Sequence, residues 1–276
     1  MTASERPRGS RDVLSRRERR RRDTLVEIAQ VARDLISDGR EVTFRALAND
    51  MGMTPSALYR YVDNAAALNE LIADAVFRSL SAEIFDTGRG YDESDPAARI
   101  VAAATAFRGW ALENKVEFKL LFTTATLTVS ASASRSASGQ DAVGGDVGEL
   151  FTMRFGTMFR CLQSERRFPV PTVEELDPGF VAAYGSTDST VFGEEASAGS
   201  SWLFELGWMQ MLGVIAVEVF GHVRPQLVSS GSFFLAQMRE IGRRSGMEED
   251  WDRLDDVCRS VMARRAVTGP SSRNRR

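Results

Sequence analysis

The 276-residue sequence is poor in the side chains that most often carry chemistry: one histidine, His222, two cysteines, Cys161 and Cys258, and two lysines, Lys115 and Lys119. Acid–base and metal catalysis lean on histidines or on carboxylates at fixed helical spacing. No ExxH pair, no phosphate-binding GxxxxGK[ST] loop and no GxSxG turn is present, so no enzyme, metal centre or cofactor is expected. The cysteines make no CxxC spacing and have no companion histidines; they read as two buried or half-buried thiols of a reducing compartment. Uncharged apolar runs of about 18 residues are missing, so no membrane span is expected. The first 22 residues hold no apolar h-region, which speaks against a secretory signal and for a cytoplasmic protein. His222 follows an apolar run and precedes Pro225. A helix C-terminus accounts for it, and a ligand contact stays open beside that reading.

What is present is an asymmetry of charge. Residues 1–22 carry nine arginines against Glu5, Asp12 and Glu18, a net of +6 in a chain whose total is −3. A basic end on an acidic body suits a polyanionic partner, and a solubilising tail explains it equally well.

Hydrophobic periodicity is helical nearly throughout. Leu25, Ile28, Ala29, Ala32, Leu35 and Ile36 share one face, and Gly39 ends that helix. Thr43 caps a short second helix through Asp50, closed by Gly52. Thr54 caps a third with Pro55 at its first position, where the missing N–H costs nothing. A fourth starts at Asp63 or Asn64 and runs to about Phe85. The turn-rich segment 86–95 reads as a hinge. Further helices are expected around Ile100–Ala111, on both sides of Lys115, from Val147 to Leu162, over 172–184, 201–221 and 230–245, and from Trp251. Ser/Gly-rich loops fall at 130–146 and 185–200. The chain reads as all-α with about ten helices. Its expected layout is a basic disordered arm (1–15), a small helical domain with a connecting helix (16–85), a larger helical domain (96–265) and a disordered tail (266–276).

The second and third helices, joined by a glycine turn, have the form of a helix-turn-helix, whose second helix enters the major groove with its N-terminal residues on base edges. In "TPSALYRYV", Leu58 and Val62 can pack inward with Ala46 and Leu47. That leaves Ser56, Ala57 and Arg60 for bases, and the hydroxyls of Tyr59 and Tyr61 for phosphates. A helical hairpin that reads no DNA has the same spacing.

Residues 24–72, above all "VTFRALANDMGMTPSALYRYVDNAAALNELI", resemble the DNA-binding domain of the TetR (tetracycline repressor-like) family. The resemblance implies that Thr43 and Arg45 lie near phosphates, and that Thr54, Pro55, Ser56, Ala57, Tyr59, Arg60 and Tyr61 form the DNA surface. Many members carry a lysine after the asparagine that begins the fourth helix. Here that residue is Ala65, and the arginine-rich arm is the candidate replacement.

Beyond residue 96, "FRGWALENKVEFKLLF" and "ELGWMQMLGVIAVEVFGHV" are similar to the regulatory domain of the Trp-His-Gly (WHG) subgroup. Trp208 and Gly213 are kept, and Leu212 stands where that pattern has its histidine. The likeness implies a pocket for a small apolar or aromatic ligand, with Trp110, Phe122, Phe155, Phe159, Trp208 and Met211 as candidate walls; an ordinary aromatic core explains the same residues. Arg108, Glu113, Arg154, Glu205, Gln210 and Glu218 are candidate polar contacts. It also implies a homodimer built on the 201–221 helix with Phe233, Phe234, Met238 and Ile241, a pseudo-palindromic double-stranded DNA operator, and repression relieved by the ligand through the fourth helix. The alternative is a helix-turn-helix protein without a small-molecule inducer, controlled by a protein partner or constitutive.

Overall fold

The computed structural model describes residues 15–123, 145–185 and 197–268. Twelve α-helices and one 3-10 turn are formed among the described residues, with no strand. The fold is all-α. The chain divides into two compact units, Met1–Ala75 and Val76–Arg276. Residues 1–14 of the expected basic arm, 269–276 of the expected tail and most of the two Ser/Gly-rich segments lie outside the described residues, while 266–268 are helical rather than disordered as expected.

In the first unit, α1 (Arg16–Ser37) opens on a capping box: the Ser15 side chain accepts from the Glu18 N–H while the Glu18 carboxylate accepts from the Ser15 N–H. Its apolar face buries Ile28, Ala29, Ala32 and Leu35. α2 (Phe44–Asp50) is capped by Thr43, and α3 (Pro55–Leu58) by Thr54 with Pro55 at its first position. Buried Leu47, Ala48, Leu58 and Val62 complete this small aliphatic core. α4 (Ala65–Arg89) is capped by Asn64, whose side-chain oxygen accepts from the Ala67 N–H at 2.9 Å. The division between the units falls inside α4. That helix continues past the expected end near Phe85, with the Thr87 hydroxyl donating back to the Glu83 carbonyl at 3.0 Å.

The second unit continues with α5 (Pro96–Glu113), α6 (Lys115–Thr123), α7 (Gly145–Arg166), the 3-10 turn Val173–Glu175, α8 (Pro178–Gly185), α9 (Ala198–Val219), α10 (Pro225–Ser230), α11 (Ser232–Arg244) and α12 (Trp251–Thr268). α5 is its axis. Alanines at 97, 98, 102, 103, 104, 106 and 111 are buried, and such small side chains let α6, α7, α9 and α12 all pack on it. Phe107 of α5 sits 5.5 Å from Phe151 and 6.2 Å from Trp208, ring centre to ring centre; Phe155 lies 5.4 Å from Trp208. These separations are in the range where aromatic pairs attract beyond their buried area.

Several expectations need correction. The helix expected over 230–245 is α11, Ser232–Arg244, and a short α10 that was not expected precedes it, set apart by Gly231 with a left-handed φ of 68°. The one expected over 172–184 is the short turn followed by α8. α9 starts three residues before the expected 201, where the Ser197 side chain accepts from the Ser200 N–H. Phe234 and Met238 do not belong to an outward face: they are buried in their own unit, whereas Phe233 is exposed. Cys161 is exposed rather than half-buried, since the inward side of α7 is taken by Phe151, Phe155, Phe159 and Leu162. α9 is long and apolar enough, by length and composition, to cross a membrane; half of its apolar window is buried within the protein, as in a core helix.

Candidate nucleic-acid interface and interior cavity

The turn between α2 and α3 follows from one residue. Gly52 has φ of 64°, a left-handed value that other residues adopt at a cost. There the Gly52 N–H donates to the Asn49 carbonyl (3.1 Å) and the Met53 N–H to the Ala48 carbonyl (2.8 Å), which satisfies the last carbonyls of α2. Thr54 then restarts the chain, accepting from the Ala57 N–H at 3.3 Å. Only Pro55–Leu58 are regular helix; tighter turns from Arg60 to Ala57 (3.3 Å) and Tyr61 to Leu58 (2.9 Å) carry the coil on to Val62.

Leu58 and Val62 point into the core and leave the other side of this segment open. Pro55, Ser56 and Arg60 are exposed, and Ala57 is half-buried. The Ser56 and Thr54 hydroxyls are 3.2 Å apart. Tyr59 is half exposed and its ring lies flat on Phe44, 4.3 Å between centres and 6° from parallel. Half-buried Tyr61 lies beneath the Arg21 guanidinium, 5.7 Å from the ring centre. Thr43 is half-buried, its hydroxyl accepting from the Ala46 N–H at 3.1 Å, while Arg45 is exposed in the first turn of α2. The nine residues expected at this surface therefore gather on α2, α3 and the turns beside them. None is fully buried. A short, sharply started helix with small polar groups and a guanidinium outward can present hydrogen-bonding groups to base edges.

Two participants escape sequence inspection. Phe44 looks like a core residue and instead supports Tyr59. Arg21 looks like one arginine among many, yet it donates to the carbonyls of Arg60 (2.9 Å) and Tyr61 (3.3 Å). Nothing in the spacing marks a pair of partners 39 and 40 residues away.

In the second unit a cavity of about 50 Å³ lies among α5, α7, α9 and α11. Phe155, Phe159, Trp208 and Met211 line it, with Phe204 and Met238. Trp110 is buried away from it, and Phe122 is 41% exposed at the surface against the rings of Phe118 and Phe220. The candidate polar contacts are largely engaged elsewhere. Arg108 and Glu218 form a buried ion pair at 2.7 Å, and the Arg108 guanidinium also donates to the Val228 carbonyl at 2.5 Å and lies over the Phe234 ring. Burial lifts the Glu218 carboxyl above its ordinary range, and the Arg108 hydrogen bond works against that lift. Glu113 accepts from Arg265, Gln210 from Arg244, and Arg154 lies over Phe85. Glu205 is buried, one carboxylate oxygen has no hydrogen-bond partner among the described residues, and desolvation raises its pKa to about 7. Among the described residues no cluster of histidine, cysteine or carboxylate groups suits a metal ion.

An all-α chain with a capped helix–turn–helix in a small separate unit has the architecture of a nucleic-acid-binding regulator. No family model matches the sequence. It is similar to the HTH-type transcriptional regulator Rv1816 of Mycobacterium tuberculosis and the HTH-type transcriptional regulator Mb1846 of Mycobacterium bovis. Each is 25% identical over 218 residues, covering 78% of this chain and 88% of the relative. Relatives so named support a regulator of transcription rather than an enzyme.

Proposed function

We propose that this chain is a DNA-binding transcriptional regulator of the TetR type, a homodimer that represses from a pseudo-palindromic operator. The observation that carries the reading is the open side of α3: Ser56 and Arg60 are exposed at a helix start fixed by Thr54, Pro55 and Gly52. Arg60 is the group suited to guanine, and Thr43, Arg45, Tyr59 and Tyr61 to phosphates. For dimerisation, Met209 and Val217 on α9, Phe220 at its C-terminal cap and Phe233 on α11 supply exposed apolar surface. Two-fold pairing sets half-sites about 34–36 Å apart, one turn of DNA. Selection of bound duplexes from random DNA tests all of this together. Inverted half-sites at that spacing are expected; a pool with no enriched sequence would sink the reading.

The regulatory ligand is apolar, entering the cavity beside Trp208. At about 50 Å³ this cavity is well below the roughly 150 Å³ that admits benzene in an engineered protein core. A ligand must therefore enlarge it. The enlarged arrangement is then the one the ligand stabilises, and its preference for that arrangement sets how far DNA affinity falls. The α4 helix, continuous from Ala65 to Arg89, is the element that carries the change. The same tightness favours a second reading, a regulator with no small-molecule inducer. Thermal shift against apolar ligands separates the two: one saturable stabilisation supports the sensor, and uniform silence supports the second reading.

A further inference from the structure

We infer that the first two turns of α1 are a second DNA-phosphate surface, set beside the reading helix by Arg21. The inference rests on the DNA-binding reading above and adds the residues that hold the flanking backbone.

Arg16, Arg17, Arg19, Arg20, Arg21 and Arg22 are all exposed on the helical start of α1. The one carboxylate among them, Glu18, is turned onto the capping box with Ser15, 2.7 Å from its backbone nitrogen, and hydrogen bonding to the Ser15 side chain first and its backbone second holds its pKa below the ordinary carboxylate value. Cations at a helix N-terminus oppose the helix dipole, by about 0.3–1 kcal/mol each where exposed. Like charges three and four residues apart, such as Arg16 with Arg19 and Arg20 or Arg17 with Arg20 and Arg21, each cost a further few tenths of a kcal/mol, roughly. Stability therefore does not explain the run. Local conflict of this kind marks places kept for function, and a polyanion beside the helix removes both penalties.

Position supplies the second argument. The Arg21 guanidinium holds the carbonyls of Arg60 and Tyr61 and covers the Tyr61 ring. The arginine turns are thereby fixed next to the end of α3, and Arg60, the proposed base reader, leaves the backbone from a residue that Arg21 grips. Arg17 lies one helical turn before Arg21 on the same side. Arg21 is a positioning residue; Arg17 and Arg20 are the phosphate contacts, on the strand that flanks the half-site.

The two roles have different signatures in the full-length protein, measured by fluorescence anisotropy over a salt series with a selected duplex and a random-sequence duplex. R17Q/R20Q weakens both duplexes by the same factor, about threefold to tenfold, and lowers the salt slope by up to about 2, since each lost contact removes about 0.9. Its melting temperature holds or rises, because repulsion is relieved. R21Q instead narrows the gap between selected and random duplex while lowering the slope by no more than about 1. An unchanged slope in R17Q/R20Q, or weakening confined to single-stranded RNA, overturns the phosphate surface. Undiminished discrimination in R21Q overturns the positioning role. A wild-type protein that binds duplexes without any sequence preference defeats the operator reading instead, and a slope that still drops in R17Q/R20Q leaves the phosphate surface standing.

Discussion

The two units use the same kinds of side chain in opposite places. The first has three aromatic residues, Phe44, Tyr59 and Tyr61, and none is buried; its core is aliphatic, and its described arginines are exposed except half-buried Arg33. The second buries Phe77, Phe107, Phe118 and Phe151 completely, together with Trp208 and the ion pair of Arg108 and Glu218. A reading head needs its polar and aromatic groups in water, where DNA can reach them, and a modest core suffices to hold short capped helices. A larger helical body has more interior volume to fill, and aromatic side chains fill it. The difference teaches that a guanidinium in the first unit keeps to the surface even where it holds structure, as Arg21 does, while Arg108 in the second is a buried structural member.

Deletion of charge tests this most directly. Glu218→Ala leaves Arg108 buried without its carboxylate, and a loss of about 3–5 kcal/mol is expected in urea unfolding. A loss under 1 kcal/mol would mean that water reaches the pair. Glu205→Gln should act in the other direction and depend on pH. The Glu205 carboxyl titrates near 7 when folded and near its ordinary, lower value when unfolded, so ionisation in the unfolded chain penalises folding increasingly from about pH 4.5 to 7. The variant should match wild type at pH 4.5 and exceed it at pH 8 by about 1–3 kcal/mol, read as a higher melting temperature. A pH-independent difference would show that Glu205 is not held in its neutral form. Arg60→Ala should leave the melting temperature unchanged and cost about 1–3 kcal/mol of discrimination between operator and random duplex; equal loss on both would make Arg60 a phosphate contact. The smallest effect belongs to Gly52→Ala. A Cβ there meets nothing within 4 Å, so only the backbone conformation resists it, and about 1–2 kcal/mol of stability is expected.

Legibility followed sequence distance. The helices around Gly52 could be read because their signals are adjacent: Thr43 three residues before the N–H it caps, Pro55 directly after Thr54, glycine where φ turns positive. The outward side of α3 could be read for the same reason, since burying Leu58 and Val62 decides where Ser56 and Arg60 point. The second unit offered no such grammar. Arg108 and Glu218 are 110 residues apart, and both looked like free polar groups near a pocket. Phe122 had the composition of a pocket wall, yet α6 presents it at the surface. Periodicity finds a helix and its buried side; which of several buried sides meet around one void depends on packing angles that no local pattern carries.

One close approach has a practical consequence. Arg265 of α12 lies across Gly109 of α5 on its way to Glu83 and Glu113, so close that any Cβ at 109 would overlap its side chain. Replacing that single hydrogen by a methyl group would push the Arg265 side chain aside and disturb its ion pairs with Glu83 and Glu113 without altering either carboxylate. Position 109 is thus a wedge point from which an experimenter can loosen the body of the molecule by one carbon atom and ask whether its grip on DNA changes.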